Sequence, residues 1–360
     1  MAVINVITNR GLVFGLRIGS KFQHNLEELE ATKIVEIQPN KCQNNMTQVF
    51  VHSAATTQGK YFERRKATRE TWGRDAKYHN LRVTFVLGQP RDIQTQRQIL
   101  SESERFGDIL QFGFIDDYHN LTLKAIAILG WASLNCLVGD YIVKTDDDIV
   151  VNTKRLRYNI DKRVFPSGLT GKLFTNSKPI RDIEDEYADK WLVPKEIYDK
   201  EVYPPYLSGS AYVMSIDVIQ RLYISSTNNS DPILDIDDLY MTGFVTKKFN
   251  IEVHDSPEFY LTGSVDKLFC GIDVCKMYYI STLHGCYSVN HTLDLWNSWK
   301  NSTFDSCKNF FNDSPKTTKL GKISFIIAIV LLIVFILSIV SMICQYFTKQ
   351  NVHKWQKVNH

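Results

Sequence analysis

Apolar and polar positions along this chain follow two alternating periods. Gln48–Val51 is a short apolar run, and Arg82–Leu87 is a longer one that stops at Gly88-Gln89-Pro90; each predicts a buried strand. Between them Glu63–Trp72 is charged and compatible with a helix. Asn120–Cys136 places Leu121, Ala125, Ile128, Leu129 and Ala132 at helical spacing and leads into the strand-like Tyr141–Val143. Tyr212–Met214 predicts a further strand, and Asp238–Phe249 a further helix. Such alternation predicts an α/β domain. Residues 1–45 hold little that looks like a compact unit.

Beyond Lys322 the pattern changes. No residue from Ile323 to Phe347 is charged. At about 1.5 Å per residue the run spans the roughly 30 Å of a bilayer's hydrocarbon core. The expected division is an N-terminal extension over 1–45 and a catalytic domain over 46–311. A membrane-proximal linker over 312–322, a transmembrane helix over 323–347 and a short tail over 348–360 complete it.

Flanking charge leaves the orientation open, with Lys316, Lys319 and Lys322 before the span and Lys349, Lys354 and Lys357 after it. The first twenty residues carry no clear secretory signal, since Asn9, Arg10 and Gly11 break their apolar stretch. That alone predicts a cytosolic domain on a tail anchor. Two features point to the lumen instead. Glycosylation sequons begin at Asn45, Asn120, Asn228, Asn290, Asn301 and Asn312. Cys42, Cys136, Cys270, Cys275, Cys286 and Cys307 form an even set outside the apolar run, where Cys344 lies; a lumenal domain would pair them as disulfides. Cys270 and Cys275 have no second tight Cys or His pair to complete a zinc site.

Composition excludes more than it selects. Of 360 residues, 44% are hydrophobic and 22% charged, which suits a packed core and not a disordered chain. Lys and Arg number 42 against 39 Asp and Glu, and this near-balance argues against broad electrostatic capture of nucleic acid. Oligomeric state is not legible.

The chemistry concentrates in Tyr141–Val151, where an apolar strand runs into Asp146-Asp147-Asp148 and returns to apolar residues. Strand alternation would put Asp146 and Asp148 on one face and turn Asp147 away. Paired carboxylates are hard oxygen ligands suited to Mg²⁺ or Mn²⁺. A solvated acidic turn is the bland alternative.

Six blocks in order carry a resemblance. They are Arg64–Gly73 (RRKATRETWG), Phe85–Gly88, Asp108–Gln111 with Asp116–Lys124, Lys144–Asn152 (KTDDDIVVN), Tyr203–Tyr212 (YPPYLSGSAY) and Ile236–Gly243 (IDDLYMTG). Together they resemble the β-1,3-galactosyltransferase and β-1,3-N-acetylglucosaminyltransferase family over roughly residues 48–300.

The resemblance implies a GT-A fold, with a nucleotide-binding α/β sheet joined to an acceptor-binding half. It implies Mn²⁺-dependent, inverting transfer of galactose or N-acetylglucosamine from a UDP-sugar to a glycan on protein or lipid. The setting implied is a single-pass Golgi membrane protein with a lumenal catalytic domain, although such proteins usually carry their anchor at the N-terminus. Carried residue by residue, Asp146 and Asp148 are the expected metal ligands. Arg65, Arg69, Asp116, Lys124, Asp146 and Asp147 are expected on the donor side. Trp191, Tyr206 and Gly209 are expected on the acceptor side, and Asp238, supported by Asp237, as general base.

Bland readings accompany several of these. Asp237 or Asp238 can be a helix N-cap. Arg65 and Arg69 can pair with surface acids, Lys124 can be a snorkelling lysine, and Trp72 suits a core better than a substrate platform. His254 and His291 lack the paired spacing of metal ligands. The alternative function is a catalytically silent member that binds a glycan or a partner.

Overall fold

The computed structural model describes residues 23–24, 26–40, 46–53, 60–137, 139–182, 191–228, 233–261, 274–284 and 288–302. The expected linker, span and tail lie outside these residues, as do Cys42, Cys270, Cys286, Cys307 and Cys344. Among the described residues no helix is long and apolar enough to cross a membrane. Cys136 and Cys275 are each disulfide-bonded.

Strands and helices alternate as the periodicity predicts. The first part holds β1 (Gln23–His24), α1 (Leu26–Ala31), β2 (Val35–Ile37), β3 (Thr47–His52), α2 (Lys60–Glu70), α3 (Trp72–Ala76), β4 (Leu81–Gln89), α4 (Ile93–Phe106) and β5 (Ile109–Ile115). Next come α5 (Leu121–Asn135), β6 (Tyr141–Asp146), β7 (Ile149–Val151), α6 (Thr153–Asp161), β8 (Leu169–Phe174), β9 (Tyr206–Ser215) and α7 (Ile216–Thr227). The last described elements are β10 (Ile233–Leu234), α8 (Thr246–Lys248), β11 (Val253–Asp255), β12 (Phe259–Leu261), β13 (Thr282–His284) and α9 (Val289–Asn301).

An eight-stranded mixed sheet has the order β11-β8-β9-β6-β3-β4-β5-β2. β6, β3, β4 and β5 are mutually parallel, whereas β9 runs antiparallel to both β6 and β8. Both faces of the central strands are covered, which is why they read as continuous apolar runs. Phe50 and Ile142 enter the core on the α5 and α7 side, while Val49, Val51 and Val143 enter the opposite core with Trp72 and Leu156.

Three expectations change. The segment expected to be an extension contributes β2, an edge strand antiparallel to β5, and buries Leu29 and Ile37. The helix read over Glu63–Trp72 breaks at Thr71, whose hydroxyl donates to the Ala67 carbonyl at 2.6 Å. Past the break Trp72 is fully buried and its indole N–H donates to the Ile149 carbonyl at 3.0 Å, so it is core. Finally, the acidic strand does not continue. β6 ends at Asp146, Asp147 and Asp148 form a turn, and β7 departs into a three-stranded sheet of order β12-β13-β7. Strand alternation therefore does not govern where these three carboxylates point.

Gly168 precedes β8 with φ +112°, and a side chain there would run into the Glu252 backbone carbonyl. Gly168→Ala is expected to destabilise the fold by about 1–3 kcal/mol. Urea denaturation reads this as a lower midpoint, and an unchanged midpoint would contradict it.

Candidate active site

Strand order reverses at β3, which has β4 on one side and β6 on the other, both parallel to it. Open α/β sheets bind ligands in the crevice at the carboxyl ends of strands at such a switch point. Here that crevice receives Ser53 from the end of β3, Gly88 from β4 and Asp146 from β6.

The carboxylates are held differently. Asp147 accepts from Ser53 Oγ at 2.8 Å and from Arg64 Nη1 at 2.7 Å, so it turns inward instead of away. Burial pushes its carboxyl above the usual range, with Arg64 opposing. Asp146 Oδ1 accepts from Lys144 Nζ at 2.7 Å. Asp148 has Arg64 Nη1 at 3.8 Å from Oδ2 and His284 Nε2 at 3.7 Å from Oδ1. That Oδ1 is buried without a hydrogen-bond partner.

A carboxylate oxygen lacking a donor beside an imidazole suits a divalent cation that takes its other ligands from phosphate and water. Among the described residues no group of three or more His, Cys, Asp and Glu side chains converges on a metal-sized site. Asp148 and His284 are one candidate donor pair; Asp146, the other expected ligand, has its Oδ1 on Lys144. His284 was not singled out from the sequence. It reaches Asp148 because β13 pairs antiparallel with β7, setting His284 opposite Ile149. No local spacing could have signalled it. His254, by contrast, lies on β11 against the Ser167 carbonyl, and the His291 side chain is outside the described set.

The arginines also rearrange the expectation. Arg65 is fully buried and grips both oxygens of Glu102 at 2.8 and 2.7 Å. Arg69 donates to both oxygens of Asp108, each at 2.8 Å, and to Glu102 at 2.7 Å. These partners are not the surface acids expected, and a diphosphate role for either arginine gains nothing from its placement. Arg64, unremarked in the sequence, is the one that meets the acidic turn. Lys124 is buried within α5 and not snorkelling; Nζ donates to the Ser53 carbonyl at 2.7 Å and pairs with Asp116 Oδ1 at 3.0 Å. Asp116 Oδ2 also accepts from the Gly88 N–H at 2.6 Å, which fixes the β4 end of the crevice.

Asp237 and Asp238 come to the same place from far along the chain. Lys144 Nζ lies 3.5 Å from Asp237 Oδ2 and donates to the Gly209 carbonyl. Asp238 caps a π-helical segment, Leu239–Val245: Oδ1 accepts from Leu239 N–H at 2.8 Å and Oδ2 from Gly209 N–H at 2.9 Å. A helix dipole alone would keep Asp238 ionised at low pH. Instead burial, and then Asp237, push it up to about 6 against those two amides and Lys144. At Gly209 it is Asp238 that approaches closely; a Cβ there would lie 3.1 Å from the Asp238 Cβ.

The expected acceptor aromatics both lie within the field of Asp238: Tyr206 directly, and Trp191 through Tyr118. Tyr206 packs near Phe174, with ring centroids 5.5 Å apart. Trp191 is 42% exposed and hydrogen-bonds Tyr118. Tyr118, which the sequence did not single out, is 44% exposed. Burial and the charges of Asp237, Asp238 and Asp146 raise its hydroxyl pKa, so it stands beside the carboxylates.

These features define an α/β protein with a carboxylate-rich crevice at the switch point of a mixed sheet. The chain belongs to the galactosyltransferase family, whose model, described as Galactosyltransferase, matches residues 63–257. Over 222 residues it is 35% identical to beta-1,3-galactosyltransferase 1 of human and of mouse. That match covers 59% of this chain and 64% of the relative's length. It is 31% identical over 271 residues to human beta-1,3-galactosyltransferase 5, covering 72% of this chain and 82% of that protein.

Removing Arg65 leaves Glu102 without its buried bidentate partner. Arg69 still pairs with Glu102 at 2.7 Å, so Arg65→Met is expected to cost about 1–3 kcal/mol of stability, read by chemical denaturation. Native stability with lost UDP affinity would instead restore a diphosphate role to Arg65.

Proposed function

We propose that this chain is a hexosyltransferase of GT-A fold that moves galactose from UDP-galactose to a glycan hydroxyl on protein or lipid, in β-1,3 linkage and with inversion. The names of the relatives favour galactose over N-acetylglucosamine. The proposed setting is the Golgi membrane, with residues 323–347 as the anchor and the catalytic domain in the lumen. The observation that carries the proposal is the convergence of two acidic groups on Lys144, at 2.7 Å from Asp146 and 3.5 Å from Asp237. One group has a metal-type donor pair beside it; the other offers a carboxylate base.

In this mechanism Asp238 accepts the proton of the acceptor hydroxyl as that oxygen attacks the sugar's anomeric carbon. Its orientation is set by the Gly209 and Leu239 N–H groups, which occupy one direction at each oxygen and leave other lone pairs for the hydroxyl. Its raised pKa makes it a stronger base while leaving it ionised at neutral pH. Asp148 and His284 would hold Mn²⁺, which when bound supplies charge neutralisation for the departing diphosphate. Arg64 holds the turn that carries Asp148 through its contact with Asp147. Trp191 and Tyr118 present half-exposed rings suited to the apolar face of an acceptor sugar. None of these features favours the catalytically silent alternative.

Asp238→Asn preserves shape and removes the base, so transfer from UDP-galactose is expected to fall by about 10²–10⁴-fold in a folded protein. Asp148→Ala is expected to abolish Mn²⁺-stimulated transfer. Wild-type turnover by either variant would remove the assigned role.

A base must be deprotonated to act. Activity is therefore expected to be full above the Asp238 pKa of about 6 and to decline through it as pH falls. A kcat/KM profile flat from pH 7 to 5 would contradict this.

A further inference from the structure

We propose that Lys144 is a positioning residue that fixes the Asp238 base by pinning the backbone at Gly209. This inference rests on the transferase reaction proposed above.

The Lys144 side chain is 3% exposed and contacts three separate parts of the chain. Its Nζ pairs with Asp146 Oδ1 at 2.7 Å, donates to the Gly209 carbonyl, and lies 3.5 Å from Asp237 Oδ2. Gly209 in turn donates its N–H to Asp238 Oδ2 at 2.9 Å. Lys144 thus holds one side of the Gly209 Cα while Asp238 reads the other.

Glycine is the residue least able to hold its own backbone angles. A side chain here would displace the base, because a Cβ on Gly209 would lie 3.1 Å from the Asp238 Cβ and 3.2 Å from its Oδ2. The close approach of the base favours glycine, and a glycine backbone gains most from an external restraint. Lys144 provides one by gripping the carbonyl, and its contact with Asp146 ties that restraint to the end of β6. Donor-side and acceptor-side carboxylates are thereby held in one frame. Being buried, Lys144 has no direct route to a reacting atom and acts through Gly209 and Asp238.

The test uses the full chain carrying Lys144→Met, with kcat and KM for UDP-galactose and acceptor, UDP affinity in Mn²⁺ by calorimetry, and the thermal midpoint. A displaced base is expected to lower kcat by about 10²-fold while UDP affinity stays within about threefold. Removing the ammonium leaves buried carboxylates unpaired, so the single variant can fail to fold. In that case Asp237→Asn is compared with Lys144→Met/Asp237→Asn, which loses the ammonium and one carboxylate charge together. The same 10²-fold difference in kcat is expected between those two.

Unchanged kcat in a folded Lys144 variant would overturn the inference. So would a loss of UDP affinity as large as the loss of kcat, which would make Lys144 a donor ligand. Absence of transfer by the wild-type chain would refute the proposed function itself and is read separately.

Discussion

Negative charge gathered around the carboxyl end of one strand, much of it withdrawn from water, constrains everything around it. Asp147 and Asp148 have side chains 6% and 18% exposed, and Asp237 is 11% exposed. Leaving such groups unpaired costs several kcal/mol per ion. The neutralising cations must therefore be nearly as buried as the acids. Lys144 meets this requirement from β6 itself, two residues before Asp146 and on the same face of the strand. In its own balance burial pulls the ammonium pKa down, and Asp146 and Asp237 more than reverse that, so the charge persists. Arg64 meets the requirement from α2 across the crevice, and its pKa likewise rises because Asp147 and Asp148 outweigh burial.

The division of labour among the arginines of α2 follows from helix geometry. Arg65 and Arg69, four residues apart, share a face and face α4 and the start of β5, where Glu102 and Asp108 receive them. Arg64 is about 100° around the helix from Arg65 and faces the acidic turn. The buried pair fixes how α2 sits, and α2 then delivers Arg64. Arg65 and Arg69 thus bear on where the carboxylates lie through the seating of α2.

At Asp238 the N-cap expectation holds, and it does not conflict with the proposed role as base. It is an N-cap, since Leu239 N–H binds its Oδ1, and it is also held from β9 by Gly209. Capping orients the carboxylate and burial raises its pKa, and both suit a general base. The helix it caps is π-wound over Leu239–Val245, a geometry often found at functional sites.

Much of the scaffold was legible from local pattern. Continuous apolar runs predicted β3, β4 and β6 because strands covered on both faces carry no polar alternation, and helical spacing predicted α5. The acidic turn was legible as a candidate because carboxylates flanked by apolar residues are conspicuous, whereas the Asp237–Asp238 pair stood out only through the family resemblance. Several features were not legible. Residues 26–37 lack any strong period, yet β2 is fixed by pairing with β5. His284 meets Asp148 only through the β13–β7 ladder, and Arg64 is distinguished from Arg65 only by which way α2 is turned. The sequence by itself determined most of the strands and helices, which follow from short-range periodicity, and named the candidate residues through the motifs it shares with a family. Tertiary structure alone decided which of them meet and which charges neutralise which, because those contacts depend on strand order and helix rotation, and neither is encoded in any local stretch of the chain.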